Sequence, residues 1–103
     1  MIEMTMDITA AKKEYQSEMN NLTEDSMVRI LNFSHLNQFL RKEDLFSIIG
    51  STKNSGIILK AVDMAISKFG PAAGKKAIDT VIIQQSPNPE LAQTLLARKE
   101  EIR

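Results

Sequence analysis

A chain of 103 residues, 43% of them hydrophobic, can bury the core of one domain but not of two. Its 13 basic and 13 acidic residues cancel, so no global field steers it toward nucleic acid or an anionic membrane, and any electrostatic partner must meet local patches. Cysteine is absent, which excludes disulfides and thiolate metal sites and makes a cytoplasmic setting the expectation. The opening MIEMTMDITAAKK is interrupted by Glu3 and Asp7 before any apolar run reaches signal-peptide length, and no later run approaches membrane-spanning length.

Taken in order, Asp7 or Thr9 is positioned to cap a first helix that carries Tyr15, Met19 and Leu22 inward, with a break at Asn20-Asn21. Thr23 offers a second cap, with Glu24 and Asp25 in the favourable first turn. Met27, Val28, Ile30, Leu31, Phe33, Leu36 and Phe39 then read as one wide apolar face. Leu45, Ile48 and Ile49 mark a short third helix ending at Gly50, and the polar loop from Ser51 to Ser55 supplies the next cap. Ile57, Ile58, Ala61, Val62, Ala65, Ile66 and Phe69 form a two-column stripe on a fourth helix. Gly70-Pro71 stops that helix and starts a fifth, with Ala77, Ile78, Val81 and Ile82 inside. Pro87-Asn88-Pro89 is the second stop, and the sixth helix brings in Leu91, Leu95 and Ile102, its last residues reading as a helix without a cap. The β-branched runs 57–59 and 81–83 lie inside longer helical periods and are read as helix.

Few motifs carry chemistry. Gly70-Pro-Ala-Ala-Gly74-Lys75-Lys76 resembles a phosphate-binding loop, but it is one residue short, has Lys76 in place of the hydroxyl, and follows a helix instead of a strand. His35 is the lone histidine; a neighbouring Ser34 on a helix points elsewhere, so no nucleophile–base pair results, and the expected role is structural. No catalytic, metal or cofactor site is expected. Leu45 to Ile66 can be read as helix-turn-helix, a small DNA-binding regulator, but Ile57, Ile58 and Leu59 occupy the first turns of the would-be recognition helix, where base edges require polar groups. What remains is a set of charged positions: Lys12, Lys13, Lys53 and Lys60, with Lys75-Lys76, against Glu24, Asp25, Glu43 and Asp44. Lys53 and Lys60, seven apart, fall on one helix face.

The order of these segments resembles a caspase recruitment domain of the death-fold superfamily, most like those of inflammatory caspases and CARD-only proteins. The resemblance covers nearly the whole chain. It rests on Lys12-Lys13 before the apolar positions of helix one, Leu40-Arg41-Lys42-Glu43-Asp44-Leu45 opening helix three, and Lys60-Ala61-Val62-Asp63 in helix four. Lys68-Phe69-Gly70-Pro71 and Pro89-Glu90-Leu91-Ala92-Gln93-Thr94-Leu95 complete it. The likeness implies a single all-α domain over 1–103, a six-helix antiparallel Greek-key bundle with a kinked first helix, forming the amino-terminal module of a longer protein. It also implies a non-enzymatic role in homotypic assembly in apoptosis or inflammation, through another CARD-containing protein or a second copy. By position, Lys12, Lys13, Lys53 and Lys60 fall to the basic face, and Glu24, Asp25, Glu43 and Asp44 to the acidic one. Asn32 after Ile30-Leu31, where such domains commonly carry an acid, departs from the pattern, as do Ser34-His35. Arg41 is a poor residue to open a helix.

Overall fold

The computed structural model describes residues 2–102, with side chains from residue 8 onward. The described residues form an all-helical bundle of seven helices: α1 (Ile2–Asn20), α2 (Glu24–Asn32), α3 (Ser34–Asn37), α4 (Lys42–Gly50), α5 (Ser55–Phe69), α6 (Pro71–Gln85) and α7 (Pro89–Glu101). No helix among them is long and apolar enough to cross a membrane.

The stops and caps sit where local chemistry demands them. Thr23 Oγ1 accepts the Ser26 amide at 3.1 Å, Asn54 Oδ1 that of Ile57 at 3.2 Å, and Asn88 Oδ1 that of Leu91 at 2.8 Å, each satisfying a first-turn N–H that the helix cannot. Gly70, at φ 97°, ends α5 and begins α6 with no other residue between them, and Pro71 supplies the preset first residue of α6. Arg41 opens α4 with no side-chain cap bond, as its chemistry requires.

Three sequence expectations are corrected. The first helix runs through Thr9 from Ile2 to Asn20, so Thr9 does not cap it; nor does Asp7, which is helical too and whose side chain lies outside those described. The second helix does not continue to Phe39. It ends at Asn32, Phe33 is extended (φ −105°, ψ 117°), and a separate turn, α3, follows. The reason is a phase slip. On one helix at about 100° per residue, Leu36 would stand about 180° around from Met27 and face water. Breaking at Phe33 buries Met27, Ile30, Leu31, Leu36 and Leu40 together, while Val28 and Phe33, expected inside, stay exposed. Lastly, the terminal helix closes at Glu101, and Ile102 turns extended with its N–H on the Lys99 carbonyl.

One continuous core results, joining Tyr15, Met27, Ile30, Leu31, Leu36, Leu40, Leu45, Ile48 and Ile49 to the α5–α7 residues Ile57, Ile58, Ala61, Val62, Ala65, Ala77, Ile78, Val81, Leu91 and Leu95. Helix α5 packs on α2, α4 and α6; α6 also meets α4 and α7; α1 packs on α2 and α3. Gly74 shows how close the α5–α6 approach is. A Cβ there would collide with the Ile66 side chain, and Ile102 closes the same notch. That glycine, which in sequence suggests a phosphate loop, is a packing device inside a helix whose amide at Gly74 bonds the Gly70 carbonyl.

Candidate functional site

A concavity of about 570 Å³ lies where α1 passes the α3–α4 segment, and Lys12, Tyr15, Gln16, Met19, Asn20, Phe39, Arg41 and Asp44 line it. Helical spacing places Lys12, Tyr15, Gln16 and Met19 on one side of α1. Tyr15 packs its ring into the core against Phe39, with centroids 6.0 Å apart, and its hydroxyl donates to Asp44 Oδ2 at 2.6 Å. Arg41, just before α4, reaches the same carboxylate three residues on through Nε at 3.3 Å and Nη2 at 3.2 Å.

This geometry sets the protonation. Burial and the hydrogen bond to Asp44 push the Tyr15 phenol well above its ordinary value near 10. Burial alone would raise Asp44, but the hydrogen bonds from Arg41 and Tyr15 outweigh it and hold the carboxyl below the usual aspartate range, while Asp44 raises Arg41 in turn. Asp44 is therefore a charged, inward-facing tie with 14% of its side chain exposed. The acid that the sequence places with the acidic set thus gives its oxygens to an internal tie.

The other sequence-selected positions are distributed as follows. Lys12, Lys13, Lys53 and Lys60 are all exposed, and none has an ion-pair partner among the described residues. They do not converge. Lys12 lines the α1 cleft, Lys60 lines a groove with Val28, Leu31, Asn32, Asn54, Gly56 and Ile57, and Lys53 borders a hollow with Gly50, Ser51, Thr52, Gln84 and Gln85. Glu24, Asp25 and Glu43 are exposed. Glu24 Oε2 accepts from Thr52 Oγ1 at 3.5 Å, so the acidic opening of α2 lies beside the loop that carries Lys53, not on a separate face. His35 is exposed, stacked on Phe33 at 5.7 Å, with Nε2 at 3.5 Å from Glu14 Oε1, an α1–α3 contact at the surface.

Sequence reasoning missed the α1–α4 cleft, although its signal was present: an acid three residues after a helix-opening arginine, and a tyrosine placed to meet it. It also missed the polar junction of α1 and α2. There Glu18 accepts from buried Ser26 Oγ at 2.6 Å and from Arg29 Nη1 at 3.1 Å. Among the described residues, no group of three His, Cys, Asp or Glu side chains could hold a metal ion. No family model, curated protein or solved structure matches the chain.

Proposed function

We propose that this chain is a non-enzymatic recruitment module that binds an acidic surface of another protein through its exposed lysines. The observation that carries the reading is a contrast among the cations. Arg29, Arg41, Arg98 and Lys99 are committed to Glu18, Asp44, Asp63 and Asp79, and Lys76 lies over the Phe46 ring. Lys12, Lys13, Lys53 and Lys60, like Lys42, Lys68 and Lys75, are left to solvent. An unpaired, exposed cation steers and binds an acidic partner without first breaking an internal tie. The narrower form of the proposal is homotypic death-fold assembly with another CARD-containing domain or a second copy, in a cytoplasmic signalling setting, and it draws on the family resemblance. Because Lys12, Lys53 and Lys60 line three different concavities, separate contact patches are proposed in place of one basic face.

DNA binding gains nothing from the geometry. Ile57 and Ile58 are buried, so the first turns of α5 turn their apolar side chains into the core and present Gly56 and Lys60 outward. The deciding experiment is light scattering of the chain alone and mixed with acidic death-fold domains, at low and high salt, beside Lys13→Glu and Lys60→Glu. Association that weakens with salt and is lost in either variant, with an unchanged circular dichroism spectrum, is expected. Association indifferent to both charge reversals sinks the proposal.

A further inference from the structure

We propose that the cleft between α1 and α4 is a binding site for a small carboxylic acid carrying an apolar tail, with Lys12 and Arg41 holding the carboxylate and Met19, Phe39 and the Tyr15 ring receiving the tail. Its volume, about 570 Å³, falls within the span of small-ligand sites. The lining is divided in the manner such a ligand requires. Tyr15 is buried and Met19 and Phe39 are half-buried against the core, leaving an apolar floor. Lys12 stands exposed on the rim with no ion pair among the described residues. Arg41, 72% exposed, is held in place by Asp44 through Nε and Nη2, which leaves Nη1 outside that pair of bonds.

The sign of the site follows from the same bonds. Asp44 is the single acid among the described residues lining the cleft, and its oxygens already accept one bond from Tyr15 and two from Arg41, so its charge is largely answered from within. The other acids of this part of α1 are engaged elsewhere, Glu14 with His35 and Glu18 with Ser26 and Arg29. Lys12 and the free edge of Arg41 therefore leave a net positive mouth over an apolar floor, and a fixed guanidinium presented at such a mouth suits a carboxylate. Asp44 is a positioning residue here, acting through Arg41. The raised Tyr15 phenol keeps its proton on the bond to Asp44, so no second negative charge arises to repel the ligand.

The chain reports on this site by itself, because Tyr15 is its one tyrosine and it has no tryptophan. Hexanoate is titrated into the protein while Tyr15 emission and the backbone amide shifts of Gln16, Met19 and Arg41 are followed, with acetate as charge without tail and 1-hexanol as tail without charge. The expected result is a saturable change with hexanoate that is about fivefold or more weaker with either control and weaker by a similar factor in Lys12→Glu, the scale of one exposed charge contact. Equal binding of 1-hexanol, equal binding of acetate, indifference to Lys12→Glu in a folded variant, or the absence of any saturable change each overturns the proposal. A capped Leu-Glu dipeptide that binds more tightly than hexanoate overturns the assignment to a free acid. Lys12 serves both proposals, but the recruitment test is made at Lys13 and Lys60, which do not line this cleft, so failure of one proposal is distinguishable from failure of the other.

Discussion

Where α5 packs on α6 the buried residues are Ala61, Val62, Ala65, Ala73, Ala77, Ile78 and Val81, with a glycine admitting Ile66; where α1 meets α4 the contact is a phenol, a carboxylate and a guanidinium. The first region is held by area removed from water, which is non-directional and tolerates no added atom. The second is held by directed bonds, which fix the angle of α1 while leaving Met19 and Phe39 half-open. Stability is thus concentrated at α5–α6, and a cavity usable for binding persists where polar ties replace close packing.

The sharpest way to break this contrast is to damage the dry side. Ile78→Ala should cost about 2–5 kcal/mol through lost burial and a residual cavity, read as a lower midpoint in urea with unchanged m-value. Gly74→Val should cost about 1–3 kcal/mol, because its Cβ meets the Ile66 side chain and the tip of Ile102, and Ile66 at least must shift to admit it. If either variant melts with the parent, the α5–α6 contact is not the centre of stability. On the polar side Tyr15→Phe should cost about 1–2 kcal/mol, since Asp44 loses a donor while remaining partly buried.

A pH dependence separates the two regions without touching the core. Because Asp44 is depressed in the folded state, its contribution is present above the ordinary aspartate value near 3.9 and is lost as pH falls through its lower folded value. Acid titration of stability should therefore flatten in Asp44→Asn, and an unchanged acid limb would place the sensitivity elsewhere. Smallest of all, Lys13→Glu should leave stability within about 0.5 kcal/mol of the parent, because an exposed lysine outside any ion pair contributes little to the fold. A larger loss would show that α1 is tied down by a contact of Lys13.

Much of the dry side is legible in the sequence, because an apolar stripe at helical period has one physical solution and Gly70-Pro71 has almost one conformation. Ile57, Ile58, Ala61, Val62 and Val81 are buried as their spacing predicts, and Ile66 is partly so. The polar side is not, since bonds such as Tyr15–Asp44 and Gln85–Ile49 link residues 29 and 36 positions apart and periodicity is blind to them. Within a charged doublet the surroundings differ for the same reason. Asp44 and Glu43 are neighbours of one charge, yet one turns inward to two partners and the other stays in solvent. The break at Phe33 was readable in principle, as polar Ser34 and Gln38 fall where a continuous face would need apolar residues.

That break makes the segment more sensitive to length than to identity. Two fewer residues between Asn32 and Leu36 would return Leu36 and Leu40 to the phase of Met27 and Leu31 at about 100° per residue, allowing a single rod where there is now a bend. Ser34 and His35, both exposed, thus act as a two-residue spacer. Exchanging their side chains would cost at most the surface contacts of His35 with Phe33 and Glu14, whereas a deletion across them would redirect everything from α4 onward.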